Sequence, residues 1–192
     1  MENSKTESDI TLYSIVNAFL WSKGVVFQGN RLLKASNDLN NIFKSEDWMN
    51  KNNSSSLNLL SDISRYEEHF FVVSVNRARS FIVDSSKYFN QIKTILETID
   101  KDMPSLKDIR NMREHDLDYI VGKGNKQRDF IYDSGDGRFI ADATSTIVSE
   151  GEYLIGGRLN VNSAIETFTK IILEIELVYD DYITRNSGSV DD

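Results

Sequence analysis

Residues 105–124 read SLKDIRNMREHDLDYIVGKG. Met103-Pro104 stands just before them. Proline disfavours helix in the residue that precedes it and suits the first turn of a new one. Ser105 with Asp108 offers a cap at the start. Gly122 and Gly124 offer a stop at the end, because glycine is favoured just past a helix. The spacing therefore predicts a helix over residues 105–121. Each residue of a helix turns about 100°. With Leu106 at zero, Ile109, Arg113, Leu117 and Ile120 fall within about 60°, a core face. Arg110 lies at the edge of that face, roughly 40° round. Asn111 and His115 lie on the opposite side, near 140° and 180°. They are four apart and can touch, as can Arg110 and Glu114.

The flanks read as further helices. Leu12, Ile15, Val16, Phe19, Val26 and Leu33 recur at helical spacing over residues 9–36. Gly24 and Gly29 interrupt them and suggest a bend or a close helix crossing. Residues 45–56, SEDWMNKNNSSS, read as a loop. Leu59, Ile63, Tyr66, Phe70, Val73, Arg77 and Ser80 alternate at steps of four and three, which reads as a core stripe broken by an arginine. Helix continues over residues 81–99 after a kink. From residue 130 the period changes. Phe130-Ile131-Tyr132 and Arg138-Phe139-Ile140 flank a turn composition, and Thr144 to Val148 and Tyr153-Leu154-Ile155 flank another. A last helix opens at Asn162 or Ser163, with Glu166 placed for a capping box. Its core face is Ile165, Phe168, Ile172, Ile175, Tyr179 and Tyr182. The expected fold is mainly α. It is a four-helix bundle over residues 9–183, with a small antiparallel sheet (128–161) inserted between the third and last main helices. Residues 1–8 and 186–192 read as tails.

The chain has 192 residues, no cysteine and a net charge of −8. The missing cysteines exclude a disulfide scaffold, a cysteine zinc site and a thiol nucleophile. Purely apolar runs are as short as residues 70–73, so no membrane-spanning segment is expected. The polar start has no apolar signal core, and the reading is cytoplasmic. An acidic surface repels a polyanion, so any contact with nucleic acid must be local and cationic.

The chain has two histidines, His69 and His115. Arg110 and His115 stand about 140° apart on the expected helix, so one helix aims them poorly at one target. A second copy across a two-fold axis would bring two arginines and two histidines around one groove. Arg110-Asn111-x-x-x-His115 resembles the R-N-x-x-x-H form of the motif of HEPN domains (higher eukaryotes and prokaryotes nucleotide-binding). Its place on the third helix is similar too, as are Leu106-Lys107-Asp108-Ile109 before it and Asp118-Tyr119-Ile120 after it. The resemblance implies a metal-independent endoribonuclease, usually a homodimer and often a toxin or defence component. It implies His115 as acid/base, Arg110 as the phosphate-stabilising cation and Asn111 in support, with Glu114 pairing Arg110. Lys123, Lys126 and Arg128 would hold RNA phosphates. Residues 107–128 carry six cations against four acids. No metal or cofactor is expected. Expected partners are RNA, a second copy and an antitoxin such as a minimal nucleotidyltransferase, with no membrane.

Other features read more plainly. Glu67-Glu68-His69 point about 100° apart in succession, so they do not converge on a metal. His69 reads as a partly buried or interface side chain, and Arg77 as an interface residue or one that snorkels outward. Gly122-x-Gly124 and Gly135-x-Gly137 lack the context of a phosphate loop and are turns. Two further readings stand beside the nuclease. One is a non-catalytic helical interaction module. The other is a ligand site between bundle and sheet, framed by Gly156-Gly157-Arg158.

Overall fold

The computed structural model describes residues 6–44, 54–124, 128, 132–133, 135, 140–142, 145–149 and 151–187. Among these are six helices. They are α1 (Glu7–Lys44), α2 (Ser54–Ser85), α3 (Asn90–Asp102), α4 (Leu106–Glu114), α5 (Asp116–Ile120) and α6 (Val161–Ser187). Five short strands precede α6. They are β1 (Tyr132–Asp133), β2 (Ile140–Ala141), β3 (Thr146–Ser149), β4 (Glu152–Ile155) and β5 (Leu159–Asn160). β1 and β2 pair antiparallel, and β3-β4-β5 form an antiparallel sheet. The molecule is mainly helical with a small inserted sheet, as expected. The count of helices is not four, because the second and third expected helices each divide.

α1 packs between α2 and α6, and α3 and α4 lie across α2. Ile15, Val25 and Leu32 of α1 meet Phe71, Val75 and Ile82 of α2 and Phe168 and Ile175 of α6 in one core. Ile92, Ile95 and Ile99 of α3, and Leu106, Ile109 and Met112 of α4, close it from one side. Tyr153, Ile155 and Leu159 of the sheet join the same core. Burying such side chains contributes about 1.5–3 kcal/mol each.

α1 runs unbroken through both glycines and ends eight residues later than expected, at Lys44. The two glycines differ in role. A Cβ on Gly29 would stand 2.6 Å from the Ile165 side chain of α6 and 3.1 Å from Phe71, so Gly29 marks the close crossing. A Cβ on Gly24 meets only Trp21, at 3.9 Å. Gly29→Ala should therefore destabilise the fold by about 1–3 kcal/mol through overpacking. Gly24→Ala should stabilise it by about 0.5–1 kcal/mol through helix propensity. Urea unfolding of the two variants checks the opposite signs.

The expected core stripe of α2 is overturned. Leu59, Tyr66, Phe70, Arg77 and Ser80 are exposed, and Ile63 and Val73 only half-buried. The buried face lies one step round, on Phe71, Val72, Val75, Ala78 and Ile82. It also buries Ser64, Glu67, Glu68 and Ser74, and those polar residues hid it from a reading by apolarity. Arg77 lies over the rings of Trp21 and Phe81, 5.8 Å from each centroid.

α2 ends at Ser85, and a turn leads to α3. Ser105 makes no side-chain cap at the start of α4. At the start of α6 the cap is Asn160, whose Oδ1 accepts from the Ser163 N–H at 3.1 Å, in place of the expected box with Glu166. By length and composition α1 is long and apolar enough to cross a membrane, with a mean hydropathy of 1.4 over an 18-residue window, a test that a core helix passes too. Serines, threonine and glycines break its apolar runs without lowering the mean enough to matter.

Candidate functional site

α4 ends at Glu114, and His115 is the joint between α4 and α5. Its backbone leaves the helix (φ −123°, ψ 36°), while its N–H still donates to the Asn111 carbonyl at 3.1 Å. The single helix expected over residues 105–121 is therefore two. Leu117, assigned to the core face, is 67 % exposed as a result. α5 ends as its glycine predicts. Gly122 takes a φ of +76°, its N–H donates to Tyr119 O, and the Lys123 N–H donates to Asp118 O at 2.8 Å. That is a Schellman ending. It turns the chain back after α5.

His115, Asn111 and Lys123 line one groove of about 920 Å³ with Arg79, Asp100, Lys107, Asp118 and Tyr119. Arg79 holds Asp100 through two hydrogen bonds, of 2.6 and 2.9 Å. The bond to Asp100 keeps its guanidinium pKa above the ordinary value, against a smaller opposing effect of burial. Gly124 closes the far wall, where any Cβ would enter the Tyr119 ring.

Arg110 does not line that groove. It faces a second one of about 530 Å³, with Asn76, Arg77, Ser80, Asp84 and Glu114. Arg79 and Lys107 line both grooves and form the ridge between them. The second groove carries Arg77, Arg79, Lys107 and Arg110 against Asp84 and Glu114, a surplus of two positive charges. Arg110 is tied to Glu114 as its spacing suggested, with Nε–Oε1 at 2.9 Å and Nη2–Oε2 at 2.7 Å. Of the remaining expected phosphate contacts, Arg128 is exposed and Lys126 lies outside the described residues.

Arg113, expected on the core face, is mostly buried and belongs to a polar cluster that sequence reasoning missed. Its Nη2 lies 2.6 Å from Glu68 Oε2. Glu68 Oε1 accepts from the hydroxyls of Thr146 and Tyr153. Burial first, and then the Glu68 charge, push the Tyr153 phenol far above the ordinary tyrosine range. Next along α2, Glu67 accepts from Gln28 and pairs with Arg31, which staples α2 to α1. His69 is exposed and edge-on to Phe70. The two glutamates hold helices together and diverge, as their successive positions require.

Tyr153 gives the fold a pH dependence of known sign. Unfolded tyrosine ionises near pH 10, whereas folded Tyr153 keeps its proton. Its contribution is full below pH 10 and is lost above it, at about 1.4 kcal/mol per pH unit. Denaturant unfolding at pH 9, 10 and 11 should show this loss in the native chain and a shallower one in Tyr153→Phe.

No protein-family model, no curated protein and no solved structure matches the chain.

Proposed function

We propose that the protein is a metal-independent endoribonuclease of the HEPN type that works as a homodimer. The observation that carries this is the shared ridge. Lys107 and Arg79 line both the His115–Asn111 groove and the cationic Arg110 groove. An RNA strand crossing the ridge meets guanidinium and ammonium groups on one side and an imidazole on the other. In such cleavage the ribose 2′-oxygen attacks the adjacent phosphorus, and the 5′-oxygen leaves. His115 takes the 2′-hydroxyl proton or protonates the leaving oxygen, and a second copy supplies the complementary step. Arg110 holds the phosphorane oxygens through paired donors once phosphate displaces Glu114. Asn111, in the same groove, orients the imidazole. A toxin or defence role, with an antitoxin such as a minimal nucleotidyltransferase, is part of the same reading.

The dimer draws support from an apolar face. Tyr13, Val16, Leu20 and Phe27 of α1, and Leu59, Tyr66 and Phe70 of α2, are all exposed. Together they present on the order of 800 Å² of side-chain surface, the share one partner contributes to a standard interface. The α2 part of the face runs on through Val73 and Arg77 into the Arg110 groove. Phe70→Asp leaves the core untouched and should convert a dimer to a monomer in size-exclusion chromatography with light scattering. An unchanged mass would remove this face from assembly.

The same face favours a second reading, a non-catalytic interaction module, as does the closed Arg110–Glu114 pair. Incubation of single-stranded RNA with the protein in EDTA separates the two, since only the nuclease reading gives cleavage.

A further inference from the structure

A third groove, of about 800 Å³, lies between α1, α2, the end of α4 and the β3–β4 hairpin. It shares no lining residue with the His115 or Arg110 grooves. Gly156, Gly157 and Arg158, expected to frame a site against the sheet, do not line it. Its wall carries Ser36, Ser61, Ser64, Arg65, His69 and Arg113. Among the described residues Glu68 is the one carboxylate in that lining, and its oxygens are engaged by Thr146, Tyr153 and Arg113.

Two donors in the wall are spare. Ser64 is 9 % exposed and its hydroxyl has no hydrogen-bond partner among the described residues. Arg113 Nε is buried and has none among them either. Buried donors without acceptors are uncommon and costly. Arg65 and Arg113 against Glu68 leave the groove one positive charge, in a chain of net charge −8.

We infer that this groove binds a small phosphate monoester. Guanidinium groups match phosphate oxygens with paired donors, and serine hydroxyls complete such a shell. Phosphate offers three terminal oxygens to Arg65, Arg113 and Ser64, where a carboxylate offers two. Leu39 and Val148 in the same lining give the organic remainder an apolar wall. The volume suits a small molecule. The site is separate from the ridge assigned to RNA, and its occupancy does not depend on that assignment.

The test is a titration of the full ¹⁵N-labelled chain with ribose 5-phosphate, with ribose as control. The phosphate ester should shift the Ser64 and Arg65 amides and the Arg113 Nε–H saturably, and ribose should not. Arg65→Gln should weaken binding about tenfold, the effect of one charged hydrogen-bonding group. Ser64→Ala removes an unpartnered hydroxyl, so it should fold normally and also bind less tightly. His115→Ala should bind as the native chain does. Signals that stay in place, shifts confined to Lys107, Asn111 and His115, or unchanged affinity in both Arg65→Gln and Ser64→Ala would overturn the inference.

Discussion

His115→Ala is expected to lower the rate of RNA cleavage by about 10²–10⁴-fold, the usual contribution of a positioned acid or base. The loss should appear in kcat, because the imidazole acts in the transition state and contributes little to holding the strand. Lys107→Ala should instead raise KM and flatten the salt dependence of binding, since it removes one phosphate contact. Arg110→Ala falls between, with a loss in kcat from the developing charge. Arg110→Lys should restore little, because a point charge does not reproduce the paired donors of a guanidinium. Single-turnover cleavage in EDTA across several salt concentrations separates the three. Cleavage at the native rate in His115→Ala would take His115 out of the mechanism.

The second large effect is on stability. Arg113→Ala is expected to cost about 3–5 kcal/mol, because it strands the Glu68 carboxylate, which is only 5 % exposed. For a chain of this size that is a fall in Tm of roughly 10 °C. Glu68→Leu with Arg113→Met removes both charges together, and apolar replacement of a buried pair is often neutral or better. The double variant should therefore recover most of what the single one loses. A double variant as unstable as Arg113→Ala would show that the hydroxyls of Thr146 and Tyr153, and not the charge, dominate the cluster. By contrast Glu114→Ala, at the exposed Arg110 pair, should change stability by under about 1 kcal/mol.

What the sequence made legible follows from how far each signal reaches along the chain. Local stops were legible and local caps were not, since Ser105 makes no side-chain cap and Asn160 caps α6 in place of the expected box. Pro104 and Gly122 bound the α4–α5 segment, and β1 and β2 pair antiparallel. The Arg110–Glu114 pair follows from spacing alone. Periodicity was sound in period and wrong in phase on α2. Leu59, Tyr66 and Phe70 form as regular a stripe as any core, yet the buried face is the one that carries Glu67 and Glu68. Those carboxylates are buried because Arg31 and Arg113, 36 and 45 positions away, neutralise them. No window along the chain contains that information.

The break at His115 was equally hidden. Asp116 and Leu117 continue an acceptable helix, and nothing local marks the joint that turns His115 away from the path of α4. Arg79, which lines both grooves, stands on α2, more than thirty residues from the motif. The motif lies on one short stretch, and its surroundings are assembled by the packing of α2 against α4.

The most direct measurement is the chemistry of the cut ends. Single-stranded RNA should be incubated with the purified chain in EDTA and the products resolved by mass. Attack by the 2′-oxygen requires a 2′,3′-cyclic phosphate on one fragment and a 5′-hydroxyl on the other, and both should form about 10²–10⁴-fold more slowly with His115→Ala. Intact RNA, or fragments bearing 3′-hydroxyl and 5′-phosphate ends, would contradict the account.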